Sequence, residues 1–431
     1  MTGMGATGKD RAMTAKEKLT LKNGARILLL PEEGAHSVSA SLWVTAGSAW
    51  EQPEEQGVSH FIEHMAFKGT FRRSAREISE EMDRLGGGMN AYTARECTRY
   101  YAQTLKENAG RVLDLLCDIV LHPRLDSADL DLERRVILEE MAMYEDSGEE
   151  VAHEALCASV WPGSPFGRPI CGTKDTVSAM TVDGLRRYRE RHYAPSRLLA
   201  VVAGGFDRRE VVELLERELG SLPPAQDPEP PAPPVFQPCL VLRKRDFQQA
   251  AVELAMPGLP RGDERRFAMM LFSFIVGGGS SSRLFQKVRE EKGLAYSIYS
   301  AAESFPGSGM FTVSALASPK HHLEVIREIR DVLAGFSAGI SRDELDRARA
   351  QVKASYILGL ETVEARASYE GRTALFHTAE LSPDEVLERL DALEPDDIDA
   401  LAAQVLVPEK TALAAAGRVK PSKAYRGMYG G

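Results

Sequence analysis

The sequence His60-Phe61-Ile62-Glu63-His64 places two imidazoles four residues apart with a carboxylate between them. On an α-helix, positions three and four apart share one side, so the three polar groups point the same way. Two neutral histidines beside a carboxylate can hold Zn²⁺ and remove a proton from its bound water. The order is the inverse of the common metalloprotease order His-Glu-x-x-His, and it predicts a catalytic metal site. A surface helix with two solvated histidines is the alternative for these residues taken alone.

A catalytic zinc usually has three protein ligands and one open position, so a further ligand is expected from elsewhere in the chain. The best candidate is a helix predicted to begin near Ser127, in which Glu133 and Glu140 lie seven residues apart and share a face. Glu139 is turned about 100° away from Glu140. One carboxylate of this face can bind the metal, and the other can orient a ligand. An ordinary acidic, solvated helix is the alternative.

Three stretches carry a resemblance to a known family: residues 57–70 (GVSHFIEHMAFKGT), 85–93 (LGGGMNAYT) and 165–173 (PFGRPICGT). They are similar to the pitrilysin/insulinase family of inverzincin peptidases. The nearest-looking branch holds the mitochondrial processing peptidase β-subunit and its short bacterial relatives. In that family a glutamate about 76 residues after the second histidine is the third zinc ligand, and Glu140 follows His64 by 76 residues. The resemblance covers nearly the whole chain.

The resemblance implies a zinc metalloendopeptidase with one Zn²⁺ per chain, held by His60, His64 and Glu140. Glu63 is then the general base that takes a proton from the zinc-bound water. Glu133, seven residues before the third ligand, matches an acidic residue of the family and is expected in the catalytic site.

Peptide substrates are expected to bind along the stretch 85–93, which resembles the substrate-edge strand of the family. Asn90 and Ala91 would pair with the substrate backbone by strand addition. In this binding mode, specificity for side chains comes mainly from pockets. Phe61 and Phe67 flank the metal site on the same helix and are predicted to line one pocket. Packing in the core is the alternative for both phenylalanines.

The resemblance also assigns a catalytic role to the second half of the chain. Arg289 and Tyr296 lie seven residues apart with a glycine between them, and at this spacing the family has an arginine and a tyrosine that contact substrate at the zinc. A guanidinium and a phenol suit the stabilisation of a developing oxyanion. The alternative is that Arg289 pairs with a local glutamate and Tyr296 packs in the core.

A proline-dense segment divides the chain into halves of similar length. Residues 223–238 contain eight prolines in sixteen positions, which is typical of an extended linker. Residues 19–222 are predicted to form a zinc-bearing catalytic half, and residues 239–431 a metal-free substrate-binding half. Hairpins alternate with long amphipathic helices, so each half is predicted to be α+β, with a largely antiparallel sheet packed against helices. The family architecture implies a cleft enclosed between the halves.

The halves are predicted to be copies of one unit, of which only the first keeps the metal. Two predicted helix starts, at Ser127 and Ser341, line up at an offset of 214 residues. At that offset Glu140 falls on Ala354, and the second half contains no His-x-x-Glu-His.

Composition limits the remaining possibilities. A net charge of −10 over 431 residues argues against a nucleic-acid partner. No run of 18 apolar residues occurs, so no membrane span is expected. Residues 1–18 lack the apolar segment of a secretory signal and are predicted to be a disordered tail. The five cysteines have no metal or redox spacing, which favours reduced thiols and a cytoplasmic protein.

Three other interpretations stay open at this stage. A non-catalytic scaffold of the same fold is disfavoured by the complete set of motif residues. A structural zinc site is disfavoured because such sites are usually rich in cysteine, and neither motif contains one. The third is obligate pairing, as a subunit of a heteromeric processing peptidase. The chain can complete a substrate chamber with its own second half, or as a homodimer or a heterodimer with a related chain.

Overall fold

The computed structural model describes residues 16–225, 227–376 and 378–430. Most of the predicted N-terminal tail therefore lies outside the described residues. The predicted end of that tail at residue 18 is wrong, because a strand begins at Glu17. Lys18 pairs there with Leu28 of the next strand, and this backbone pairing orders the segment.

The first sheet has six strands, in the order β1-β2-β6-β3-β5-β4. All neighbours are antiparallel except β2 and β6, so the sheet is largely antiparallel, as predicted. Its central strands are buried along almost their whole length, so apolar and small side chains occupy both faces. The strands are β1 (Glu17–Thr20), β2 (Arg26–Pro31), β3 (Ser37–Val44), β4 (Gly88–Thr93), β5 (Thr98–Leu105) and β6 (Leu198–Gly204).

Eight α-helices of the described residues accompany this sheet. Several begin with a side-chain cap that satisfies the free amides of the first turn, such as Ser74 before the second helix. The helices are α1 (Val58–Ala66), α2 (Ala75–Leu85), α3 (Ala109–Leu121), α4 (Ser127–Glu145), α5 (Gly148–Val160), α6 (Lys174–Ala179), α7 (Val182–His192) and α8 (Arg208–Gly220).

The second sheet has five strands and repeats the first. Its order is β7-β11-β8-β10-β9, and only β7 and β11 are parallel. Its strands are β7 (Leu240–Lys244), β8 (Ala250–Pro257), β9 (Ala295–Phe305), β10 (Ser308–Ala317) and β11 (Ala412–Gly417). Its helices are α9 (Arg266–Gly277), a π-helical segment (Phe285–Glu291), α10 (His322–Ala334), α11 (Arg342–Leu358), α12 (Val363–Leu375), α13 (Pro383–Asp391) and α14 (Pro395–Val405).

Without β1, the two sheets have the same strand order and the same strand directions. In each half, one or two α-helices of the described residues precede the edge strand, and five α-helices follow the strand paired with it before the next strand begins. The prediction of an α+β fold built from two repeated halves is confirmed. Between the halves, the described part of residues 223–238 contains no helix or strand.

The halves are not separate packing units, because each gives one helix to the other. Helix α5 of the first half packs on the second sheet, where Leu156 and Val160 meet alanines of β8 and β11. Helix α12 of the second half packs on the first sheet, where Ala367 lies in one cluster with Trp43 and Val201. A division of the chain at residues 223–238 therefore follows the sheets but not these two helices.

In the part of the chain that the structure describes, no helix combines the length and the apolar character needed to cross a lipid bilayer.

Candidate metal centre

Helix α1, which carries the predicted motif, is fixed at its first turn by residues from outside the helix. The buried carboxylate of Glu51 accepts hydrogen bonds from the backbone N–H groups of Gly57 (2.8 Å) and Ser59 (2.9 Å). Burial raises the pKa of Glu51 to about 7, against the effect of these hydrogen bonds. Gly57 has φ +89°, and a Cβ there would lie 2.5 Å from the carbonyl oxygen of Cys171. The entry into α1 is thus set by close backbone packing.

His60, His64 and Glu140 converge at the interface of α1 and α4. Glu140 Oε2 lies 3.6 Å from Nε2 of each histidine, and the three donor atoms all lie within 4.8 Å of one another. Tetrahedral ligands of Zn²⁺ at their usual bond lengths are roughly 3.3–3.6 Å apart. Two imidazoles and one carboxylate are also a common ligand set of catalytic zinc. The ligand types and the two 3.6 Å distances therefore fit the ion.

The first histidine is held in its neutral form. His60 is 8% exposed. Burial lowers the pKa of His60 to about 4, and the neighbouring His64 adds to this effect. A neutral imidazole is the form that binds metals. Its Nδ1 is buried and has no hydrogen-bond partner among the described residues.

The second histidine has an acidic neighbour on its other nitrogen. His64 Nδ1 lies 3.1 Å from Oε2 of Glu133, while its Nε2 faces Glu140. Burial alone would lower the pKa of His64, but the hydrogen bonds with Glu140 and Glu133 outweigh it and raise that pKa. A carboxylate on the free nitrogen of a metal-binding histidine fixes the ring and its tautomer.

The predicted third ligand is oriented by its own helix. The hydroxyl of Tyr144, one turn after Glu140, donates a 2.8 Å hydrogen bond to Glu140 Oε1, so Oε2 points at the histidines. The hydrogen bond with His64 and that from Tyr144 lower the pKa of Glu140 to about 2, although burial acts in the opposite direction. Glu140 is therefore ionised at neutral pH, as a metal ligand must be.

Glu63 lies beside the three donors. The hydroxyl of Thr93, at the end of β4, donates a 2.6 Å hydrogen bond to Glu63 Oε2. Burial raises the pKa of Glu63, and the hydrogen bond from Thr93 only partly offsets this. A carboxylate whose pKa is raised toward the working pH is a more effective base.

Comparison with known proteins agrees with this geometry. The family model described as insulinase (peptidase family M16) matches residues 26–174, and the peptidase M16 inactive domain matches residues 179–352. An uncharacterized zinc protease of Streptomyces coelicolor is 38% identical over 95% of this chain and 91% of its own. This chain belongs to peptidase family M16. The segment matched by the M16 insulinase model contains both α1 and α4, and so His60, His64 and Glu140.

Other relatives extend the M16 assignment. An uncharacterized zinc protease of Bacillus subtilis is 37% identical over 91% of this chain and 96% of its own. A protease from Helicobacter pylori has a TM-score of 0.87 at 22% identity, covering 94% of this chain and 100% of that one. This second likeness shows that the M16 fold is shared.

The residues predicted to contact substrate have different surroundings. Asn90 and Ala91 lie on β4, which is the edge strand of the first sheet, as predicted. Phe61 is fully buried in the first core, so the prediction that it lines a pocket is wrong. Phe67 is half-buried and packs against the same core.

Arg289 and Tyr296 lie together in the second half. Arg289 belongs to the π-helical segment, and its guanidinium carbon lies 5.5 Å from the ring centroid of Tyr296. Tyr296 is 74% exposed, so it does not pack in the core. No hydrogen bond or ion pair within the described residues joins this pair to His60, His64 or Glu140.

Sequence reasoning missed three side chains that hold the site: Lys68, Thr93 and Tyr144. Tyr144 follows Glu140 by four residues on α4, so helical spacing was a usable signal for Tyr144. Lys68 lies beyond the end of α1, and its partner Glu133 is distant in the chain. Thr93 lies 30 residues from Glu63, and only the folded sheet brings it near. Lys68 Nζ forms an ion pair with Glu133 Oε1 at 2.6 Å.

Proposed function

We propose that this M16 chain is a zinc-dependent endopeptidase that hydrolyses peptide bonds in extended peptides or unfolded segments, with one Zn²⁺ per chain. The observation that carries the proposal is the convergence of three metal-binding donor atoms with the carboxylate of Glu63 beside them. The zinc-protease names of the relatives support it at the level of the family.

His60, His64 and Glu140 would hold the ion. When bound, Zn²⁺ supplies a Lewis acid that polarises the scissile carbonyl and lowers the pKa of a water molecule. The ionised carboxylate of Glu140 and the neutral ring of His60 are ready for this role without a change of protonation.

Glu63 would move the proton. Thr93 holds one carboxylate oxygen, which leaves the other free to accept a proton from the attacking water. The raised pKa of Glu63 favours this acceptance and keeps the proton available for the leaving amine. Glu133 would act on His64, whose ring it holds at Nδ1.

Substrate binding is proposed at the edge of the first sheet. Asn90 and Ala91 on β4 would pair with an extended peptide backbone. The scissile bond would then lie beside Glu63, which Thr93 contacts at the end of the same strand. Phe67 stays a predicted pocket residue. Arg289 and Tyr296 stay predicted oxyanion-binding residues, supported by the exposure of Tyr296. A homodimer or heterodimer is one way to bring this pair to a metal centre. The dimer and a cytoplasmic location stay predictions.

The test is zinc content together with cleavage of a quenched, unstructured peptide, with wild type measured beside Glu63→Gln and the control Glu139→Gln. Glu139 lies on α4 but is exposed. We expect one zinc per chain in all three proteins. We expect activity to fall about 10²–10⁴-fold in Glu63→Gln alone, because only that variant loses the base.

Two other outcomes would change the assignment. Full zinc with no wild-type activity would indicate a subunit that needs a partner chain, as in a heteromeric processing peptidase. The absence of zinc from the wild type would contradict the proposal and leave a scaffold of the same fold.

A further inference from the structure

Lys68 lies just beyond the end of α1 and is connected to the metal centre through Glu133. Its Nζ is 2.6 Å from Glu133 Oε1, while Glu133 Oε2 is 3.1 Å from His64 Nδ1. The other ring nitrogen of His64 faces Glu140. Lys68, Glu133 and His64 thus form one continuous series of charged and polar contacts that ends at the donor atom of a proposed metal ligand.

The burial of Glu133 makes this series sensitive to Lys68. Glu133 is 2% exposed, and each of its oxygens faces one of these two partners. A buried carboxylate needs close partners to offset the loss of its hydration. Without the ammonium group, nothing in this series compensates the burial of Oε1, and the carboxylate gains by turning away from its position. His64 would then lose the group that orients its ring.

The other histidine has no such support, since Nδ1 of His60 lacks a hydrogen-bond partner among the described residues. Among the described residues, the ion pair of Lys68 connects it to the metal centre through Glu133 and His64. This connection makes the role of Lys68 testable by a double-mutant cycle.

We propose that Lys68 is a positioning residue of the metal centre. It holds Glu133 against His64, so that Nε2 of His64 faces the ion, and it does not itself touch metal or substrate. The proposal rests on the proposed function in so far as these residues bind Zn²⁺. It assigns to Lys68 a contribution to zinc affinity that the ligand set alone does not reveal.

The experiment measures the zinc dissociation constant of the full chain by competition with a chromogenic chelator, without peptide. The variants are Lys68→Met, Lys68→Arg and the control Lys353→Met. Lys353 forms a comparable 2.6 Å ion pair with Asp391 in the second half. We expect Lys68→Met to weaken zinc binding about 10–100-fold, the range typical of residues that orient metal ligands. Lys68→Arg should restore most of the affinity, and Lys353→Met should leave it unchanged.

The double-mutant cycle separates positioning from a general loss of stability. In a Glu133→Gln background, Lys68→Met should cause little further loss of zinc affinity, because the intermediate group has already been altered. If Lys68→Met does not fold, Lys68→Gln keeps a donor without the charge and should show the same dependence on Glu133. Wild-type affinity in Lys68→Met, or losses that add in the double variant, would overturn the proposal. Failure of the wild type to bind zinc would overturn the proposed function as well.

Discussion

The two halves build the same three-sided space and fill it with different side chains. In the first half, α1, α4 and the edge strand β4 surround His60, His64 and Glu140. In the second half, the corresponding elements α9, α11 and β9 border a cavity of about 720 Å³. Its lining from α9 and α11 includes Met270 and Tyr356. The duplicated fold therefore supplies the space, while a few side chains decide whether it can hold a metal.

The polar contacts of the two spaces differ in kind. In the first, carboxylates face imidazoles, as in the 3.1 Å contact of Glu133 with His64. In the second, the hydroxyl of Tyr356 donates to that of Tyr369 at 3.2 Å. Hydroxyl pairs are neutral and offer no charge to a divalent cation. The same backbone arrangement thus supports a site of carboxylates and imidazoles in one copy, and in the other a cavity whose described lining includes neither group.

The largest effect is expected from a pair of variants that tests whether only the first space holds a metal. One variant removes a ligand from the first space, and the other removes a hydroxyl from the second. Glu140→Gln removes the anionic donor, so we expect zinc binding to weaken by more than the 10–100-fold typical of residues that only orient ligands. Tyr356→Phe in the second half should leave zinc content and affinity unchanged. Metal analysis after dialysis, with chelator competition, measures both. Stoichiometric zinc in Glu140→Gln would show that the first space is not the metal centre.

Substitutions in the exchanged helices α5 and α12 test whether the two halves depend on each other for stability. Leu156 of α5 and Leu375 of α12 are both buried against the sheet of the other half. We expect each Leu→Ala change to cost about 2–5 kcal/mol in the free energy of unfolding, because each leaves a cavity between a helix and a sheet.

Chemical denaturation of the zinc-free proteins measures these changes in the free energy of unfolding. Leu358→Ala is the control, since Leu358 is 69% exposed. A single unfolding transition is expected in every variant, because each helix belongs to both halves. Two transitions, each shifted by only one variant, would contradict the interdependence of the halves.

The smallest expected effect is a pH dependence confined to one exchanged helix. His153 of α5 contacts Cys157 Sγ (3.5 Å) and Glu253 of β8 (3.1 Å), and these contacts raise the pKa of His153 to about 11. On α12, the equivalent ion pair joins Glu364 to Arg99, whose guanidinium stays charged.

The sign follows from the direction of the shift. Because the pKa of His153 is higher in the folded chain than the ordinary value of 6.5, its contribution is complete below about pH 6.5 and is lost as the pH rises toward 11. Thermal unfolding from pH 6 to 10.5 should therefore show a steeper loss of stability in wild type than in His153→Gln. Parallel curves would show that this contact contributes nothing measurable.

The parts of the molecule that sequence reasoning predicted are those set by near neighbours in the chain. The helix starts predicted near Ser127 and Ser341 both occur, and the capping box at Ser341 spans only four residues. The motif on α1 also needs only one helical turn to place its side chains on one face.

The parts that it missed depend on long-range packing. Nothing near α5 in the sequence indicates that Leu156 belongs on the second sheet, because an amphipathic pattern shows that a face is buried but not against what. Phe61 lies one position from His60, and only the packing of α1 against the core shows that its ring points inward. The ion pair of Lys68 with Glu133 joins residues 65 positions apart in the chain.

The exchange of α5 and α12 also determines how long one face of the first sheet stays uncovered while the chain is being synthesised. Strand β6 completes the first sheet at Gly204, but the helix that covers its outer face begins only at Val363. At a synthesis rate of about 5–20 residues per second, that face stays exposed to solvent for roughly 10–30 s. Leu28, Trp43 and Leu199 are therefore the nascent surface most open to chaperones, and to mispairing with a neighbouring chain, until the second half has emerged.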